Sequence, residues 1–269
     1  MLPCRDDRTA GAGALSGAMT KCFSMGLMVL AGLGLGACGQ GAAPVSGAVG
    51  QAGKDWVVSD WTEWKQQDTG PEAKVRVVPE MPEVKAGAVA APLSKDAKQA
   101  GVLVLERGEP FTVVRYEGKA PLPLDEYEIS WEAARLEGND FFAALTFPVG
   151  SREKCATLVT GGWGGWTVGV SSIGHQFANE NETTSSMEFT TGQWYAFTLQ
   201  VNTQCLRGLV DGKEQFKVGL KGKAIDMHPS EITKSMPLGF ASYSTKGAVR
   251  NVRVRALKAG ELVAPAEPQ

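Results

Sequence analysis

Two carboxylates and an imidazole lie close together in residues 175–182. Glu180 and Glu182 alternate along the chain, so they stand roughly 7 Å apart if the loop is extended, and inverting glycosidases place their two carboxyl groups at about that separation. His175 could act as a general base, because an imidazole exchanges protons near neutral pH. An acidic loop in water and a solvated loop histidine are the plainer interpretations. The candidate catalytic residues are Glu180, Glu182 and His175.

Two tryptophans follow glycine pairs in the sequence GGWGGW at residues 161–166. Glycines let a backbone bend sharply and approach another surface closely. An exposed indole beside polar groups can stack on the apolar face of a sugar, whereas a buried one fills the core between sheets. Both interpretations apply to Trp163 and Trp166. With Asn179 as a polar partner, these residues are the candidate substrate-binding set.

Metal and cofactor chemistry has less support in the sequence. One calcium could be held at a loop edge by Asn139, Asp140 or the carboxylates of residues 179–182, since Ca²⁺ prefers oxygen ligands. The chain has two histidines, His175 and His228, too few for a dedicated transition-metal site, and His228 is assigned no role. Serine-hydrolase, phosphate-loop and dinucleotide motifs are missing, which argues against those chemistries.

The elements that must position these residues are predicted to be strands. Apolar and polar residues alternate in 127–136, 194–201 and 252–256, as in half-buried strands, and Asp211-Gly212-Lys213 predicts a hairpin turn. With six further short apolar segments the count reaches about ten strands. We therefore predict an all-β fold, a two-sheet antiparallel β-sandwich of jelly-roll type.

Five segments carry a family resemblance: DEYEISWEAARLEGNDFFAALTFPVG, CATLVTGGWGGWTVGVSSI, NENETTSSMEFTTGQWYAFTLQVN, LVDGKEQF and PLGFASYSTKGAVRNVRV. Over about residues 125–257 they resemble the 3-keto-disaccharide hydrolase family, and residues 56–117 would complete the domain. The resemblance implies a concanavalin A-like jelly roll that acts on carbohydrates. We associate typical members with an asparagine-serine-glycine motif in one strand, and this chain has Ala143-Ala144-Leu145 in the corresponding place. This departure concerns the activity and not the fold.

The first residues predict export and lipid attachment. Lys21 precedes an apolar run at residues 23–35, which closes on Gly36-Ala37-Cys38, the order of a signal peptide with a lipid-accepting cysteine. A retained transmembrane helix is the alternative, but the run is shorter than the roughly 20 residues that span a bilayer. We expect translation to start at Met19, cleavage before Cys38 and attachment to the bacterial cell envelope, facing the periplasm or the exterior.

Composition divides the rest of the chain. Residues 38–54 are a glycine- and alanine-rich tether, residues 55–257 the β-sandwich, and residues 258–269 a disordered tail. Without residues 1–37 the chain has 24 basic and 27 acidic side chains, a net charge of −3. Such a balance, without basic clusters, offers no electrostatic surface for nucleic acid.

Cleavage would leave Cys155 and Cys205 as the pair available to the fold. They could form one disulfide in an oxidising compartment, or remain as two buried thiols. Two functional hypotheses remain open: an enzyme that hydrolyses a modified sugar, and a noncatalytic module of the cell envelope that binds a glycan or a protein. Both expect a saccharide or protein partner and a membrane contact through the lipid on Cys38.

Overall fold

The computed structural model describes residues 56–57, 60–81 and 101–266. The predicted signal peptide, Cys38 and the tether lie outside these residues. The strands are β1 (Trp56–Val57), β2 (Trp64–Gln66), β3 (Val75–Val78), β4 (Val102–Leu105), β5 (Phe111–Tyr116), β6 (Tyr127–Glu137), β7 (Ala144–Pro148), β8 (Cys155–Gly161), β9 (Thr167–Ser171), β10 (Ser185–Ser186), β11 (Trp194–Asn202), β12 (Cys205–Val210), β13 (Lys213–Gly219), β14 (Gly239–Tyr243) and β15 (Lys246–Ala256).

Three short helical segments accompany the strands: 3-10 turns at Trp61–Glu63 and Glu231–Ser235, and one turn, α1, at Gly162–Gly165. In the part of the chain that the structure describes, no helix is long and apolar enough to span a membrane.

Two antiparallel sheets form the sandwich and confirm the predicted fold class. The first, eight-stranded, has the order β13-β12-β11-β6-β15-β4-β3, with β1 also pairing with β15. The second, seven-stranded, has the order β10-β9-β8-β7-β14-β5-β2. Some neighbours, such as β6 with β15 and β5 with β14, come from distant parts of the sequence, so pairing brings separate segments together.

The core lies between the sheets, where the alternation predicted it. In β6 the residues Tyr127, Ile129 and Trp131 are buried, while the intervening residues stay half-exposed. The Trp131 ring stacks on Phe197 of β11 with 5.3 Å between centroids, and meets Phe240 of the second sheet edge-on at 5.9 Å. Burial of such aromatic surface is the main stabilising contribution to a sandwich.

The predicted hairpin turn is confirmed. Val210 pairs with Lys213, which leaves Asp211 and Gly212 as a two-residue loop with φ of 49° and 75°. Positive φ at both positions is the requirement of the turn that matches strand twist. Asp211 also accepts a hydrogen bond from the backbone N–H of Ala196 at 2.8 Å, which attaches the turn to β11.

The segment after β15 differs from the expected disordered tail. In residues 257–266, which we call the C-terminal strap, Leu262 is buried and its carbonyl oxygen accepts a hydrogen bond from Asn202 Nδ2 at 3.0 Å. Arg255 at the end of β15 pairs with both Glu128 and Glu261. The strap therefore covers part of the outer face of the eight-stranded sheet.

The two cysteines are free and buried, so the structure has the thiol pair and not the disulfide. Cys155 begins β8 of the seven-stranded sheet, whereas Cys205 begins β12 of the eight-stranded sheet. Burial raises the pKa of the Cys155 thiol to about 12 and also raises that of Cys205. Both behave as small apolar core residues.

Candidate functional site

A cavity of about 350 Å³ opens on the outer face of the seven-stranded sheet. Thr157 and Val159 of β8 face it, because the alternate residue Leu158 points into the core. Loops after β6, β8 and β9, and the segment before β14, complete the wall. The lining consists of Phe111, Asp140, Phe141, Thr157, Val159, Trp163, Ser171, Phe177, His228, Ser230, Ile232 and Tyr243.

Aromatic rings form two groups along this wall. Phe111 meets Tyr243 edge-on with 5.0 Å between centroids, and Phe141 lies 5.6 Å from Tyr243. In the second group Phe177 lies 6.3 Å from Trp163, and its ring is 4.9 Å from that of His228. Register explains the first group, because Tyr243 of β14 pairs directly with Phe111 of β5.

Asp140 is the carboxyl group among the described lining residues. Its Oδ1 accepts a hydrogen bond from the backbone N–H of Phe141 at 2.8 Å, and its own N–H donates to Thr245 Oγ1 at 3.0 Å. Burial raises the pKa of Asp140, while hydrogen bonds from the backbone of Phe141, Trp163 and Gly164 lower it by less. The carboxylate thus links the β6–β7 loop to the turn that carries Trp163.

The turn α1 depends on its glycines. Trp163 and Gly164 have φ of 50° and 87°, in the left-handed region that favours glycine. A Cβ added to Gly165 would collide with the guanidinium of Arg135, so the backbone passes directly over that side chain. This close approach presents Trp163 to the cavity with 44% of the residue surface exposed.

The predicted catalytic residues lie outside the cavity. Glu180 Oε2 accepts a hydrogen bond from the N–H of Phe177 at 3.1 Å, and Glu182 forms an ion pair with Lys223. His175 pairs with Asp226, and its side chain is 76% exposed. Each group makes a local contact on the surface of the loop. None of the three lines the cavity.

Of the predicted substrate-binding residues, Trp163 alone lines the cavity among the described residues. Asn179 is exposed on the 175–182 loop. Trp166 is 49% exposed and lies outside the cavity lining.

Asn181, between the two glutamates, holds the loop to the sheet. It is 7% exposed, and its Nδ2 donates to the carbonyl oxygens of Val170, Gln176 and Phe177 at 2.8, 3.2 and 2.8 Å. Its Oδ1 accepts from the N–H and the hydroxyl of Thr183 at 2.9 and 2.6 Å. These bonds fix Phe177 at the cavity wall while Glu180 and Glu182 point to the surface.

The residues suggested for calcium do not gather. In residues 60–81 and 101–266, no three His, Cys, Asp or Glu side chains come together as a metal site. Asp140 receives N–H groups of the backbone, and the glutamates of the 179–182 loop are engaged elsewhere. Calcium binding at this edge therefore stays a prediction.

The fold and the cavity together define a class: an antiparallel β-sandwich with an aromatic-lined cavity on the outer face of one sheet. No protein-family model matches the chain, and no curated protein matches its sequence. The resemblance to 3-keto-disaccharide hydrolases therefore stays a prediction.

Several solved structures are similar to the chain at low identity. They include the carbohydrate binding module CBM66 from Bacillus subtilis, with 12% identity, a TM-score of 0.38 and coverage of 57% of this chain and 86% of that one. Domain 4 of AbnA, an extracellular arabinanase from Geobacillus stearothermophilus in complex with arabinotriose, has 16% identity, a TM-score of 0.38 and coverage of 72% and 89%. A protein of unknown function with a galectin-like fold from Bacillus subtilis has 10% identity, a TM-score of 0.40 and coverage of 75% of this chain and 93% of that one. Likeness at this level assigns no activity to the chain.

Proposed function

We propose that this chain binds a saccharide in the cavity on the seven-stranded sheet. The observation that carries the proposal is the placement of two groups of aromatic rings around a cavity that also contains the Asp140 carboxyl. Aromatic faces stack on the apolar face of a sugar ring, and a carboxylate accepts hydrogen bonds from its hydroxyls. A volume of about 350 Å³ is at the small end of ligand sites, so the cavity fits one sugar ring.

Binding is tested with the soluble domain, residues 55–269, on a glycan array followed by calorimetry on each sugar that binds. Trp163→Ala removes the exposed indole of the cavity and should weaken binding about tenfold, as expected when an aromatic anchor worth about 1.4 kcal/mol is lost. Glu180→Gln and Glu182→Gln are matched controls that lie outside the cavity and should leave the affinity unchanged. Loss of binding in the glutamate variants with no effect of Trp163→Ala would place the site on the 175–182 loop instead.

Hydrolysis is the second candidate function, and the raised pKa of Asp140 is the observation that favours it. A carboxyl group whose pKa is raised holds its proton to higher pH than an ordinary aspartate, and a protonated carboxyl can donate to a leaving-group oxygen. His228 also lines the cavity, and an imidazole is a common proton-transfer group in enzymes. Glycosidases generally need a second carboxyl group at short distance, so we rank binding first.

Turnover is measured by incubating the domain with 3-keto-glucosides and following release of the free sugar. Hydrolysis that falls at least a hundredfold in Asp140→Asn, with binding retained, would establish a catalytic role. A wild-type domain that binds these sugars and releases nothing would show a binding module.

We also propose that lipid on Cys38 holds the domain to the cell envelope, from the arrangement of the apolar run and the cysteine. Mass spectrometry of the membrane fraction should find an acylated N-terminal Cys38, and Cys38→Ser should release the protein from that fraction. An unmodified chain that retains residues 19–37 would contradict this anchoring.

A further inference from the structure

We infer that Trp166 forms a second sugar-stacking subsite beside the cavity, so that the ligand is an oligosaccharide of at least two rings and not a monosaccharide. The inference rests on the proposed function, because it extends the same site. It commits to a carbohydrate chain whose first ring occupies the cavity and whose next ring stacks on the exposed indole of Trp166.

The two indoles belong to one closed turn. The backbone N–H of Trp166 donates to the carbonyl oxygen of Gly162 at 3.2 Å, which closes the turn that contains Trp163. Gly164 and Gly165 alone separate the two residues, so three steps along the chain join their Cα atoms, a span of about 11 Å at most. Trp163 lines the cavity, so the backbone of Trp166 lies close to its rim.

Exposure distinguishes these two residues from the other large apolar side chains. In the described part of the chain, four such residues are exposed: Val77, Trp163, Trp166 and Val263. Trp163 lies in α1 and Trp166 directly follows it, whereas Trp61, Trp64, Trp131 and Trp194 are buried in packing contacts. An indole that is 49% exposed keeps much of its apolar surface available to a ligand.

The backbone that carries Trp166 is fixed before any ligand arrives. Its carbonyl oxygen accepts a hydrogen bond from the N–H of Met187 at 2.8 Å, and the bridge between Gly162 and Thr167 joins the turn to β9. Gly165 lies directly against Arg135, whose guanidinium donates to the carbonyl oxygen of Phe189. A rigid support lowers the entropic cost of stacking a ligand, which is the property of an effective binding platform.

The length of the oligosaccharide provides the test. Calorimetry with the soluble domain would use gluco-oligosaccharides of one, two and four units in β-1,4, β-1,3 and α-1,4 linkage. In the wild type, affinity should rise from one unit to two and more. Trp166→Ala should lower the affinity for the tetrasaccharide about three- to tenfold and leave the affinity for the single unit unchanged.

Two further variants make the result specific. Trp163→Ala should weaken binding of every length, because it acts in the cavity, and Val77→Ala, which is also 49% exposed, should weaken none. Thermal unfolding of each variant checks that the fold is intact. A Trp166→Ala domain that binds the tetrasaccharide as tightly as the wild type would overturn the second subsite while leaving the proposed function in place. A wild type that binds no member of the panel, and no sugar on the array, would overturn both.

Discussion

Asn181 shows how one buried amide determines the roles of its neighbours. Of its five hydrogen bonds, the one to Val170 ties the 175–182 loop to β9, and the other four hold Gln176, Phe177 and Thr183 around the amide. This leaves Glu180 and Glu182 on the loop surface. The alternating carboxylates predicted an acid pair, but they flank a structural residue. At the residue scale, hydrogen-bond geometry decides which polar side chains are available to a ligand.

Asn181→Ala should therefore destabilise the domain by about 2 to 4 kcal/mol, because buried carbonyl and hydroxyl groups would lose their partners. Urea unfolding measures the change. Asn179→Ala, two residues away and exposed, is the matched control and should stay within about 0.5 kcal/mol of the wild type. Equal effects of the two substitutions would contradict the structural role of Asn181.

Asp140 should make stability depend on pH in a defined direction. Its pKa is higher in the folded state than in the unfolded chain, chiefly through burial, so the folded state binds the proton more tightly. The contribution to stability is complete below the unfolded pKa and is lost as pH rises through the raised folded pKa. Relative to Asp140→Asn, the wild type should lose free energy of unfolding across that window. A pH-independent difference between the two proteins would refute this linkage.

At the scale of elements, the C-terminal strap extends the sandwich beyond its last strand. The Arg255–Glu261 pair lowers the pKa of Glu261 to about 2, chiefly through the hydrogen bond from Arg255. Leu262 adds apolar burial at 5% exposure. Composition predicted a disordered tail for residues 258–269. This segment contacts β11, which is distant in sequence, and the end of β15, and these contacts are known only from the folded chain.

Leu262→Ala should cost about 2 kcal/mol of unfolding free energy, because a buried leucine loses its contacts at the sheet surface. The neighbouring residue provides the control: Val263 is 60% exposed, and Val263→Ala should change stability by less than about 0.5 kcal/mol. If both substitutions are neutral in chemical denaturation, the strap does not pack in solution.

For the whole molecule, the absence of a bridge between Cys155 and Cys205 means that noncovalent contacts hold the two described sheets together. The core joins them through contacts such as that of Trp131 with Phe240. Noncovalent packing of this extent is sufficient for a sandwich of this size.

Thiol chemistry tests this arrangement. Without reductant, a thiol-specific alkylating reagent should modify neither cysteine in the folded domain, because both are buried and burial raises both pKa values. In denaturant both should react, and dithiothreitol should leave the free energy of unfolding unchanged. Failure of Cys155 and Cys205 to react in denaturant until reductant is added would reveal a disulfide.

The sequence by itself determined the fold class, the hairpin at Asp211-Gly212 and the glycine-rich turn with Trp163 as a candidate contact. These features depend on local rules: alternation with a period of two residues, and the positive φ that tight turns require. Such rules act within a few residues, so they can be read along the chain.

Only the tertiary structure decided which residues share the cavity. Phe111 and Tyr243 meet because β5 and β14 pair in a particular register, and Asp140 joins them because its loop lies against α1. Strand order and register depend on contacts between distant segments, which single-sequence patterns do not encode. For the same reason, the sequence could propose Glu180, Glu182 and His175 as a cluster, while the folded chain engages each of them in a local contact away from the cavity.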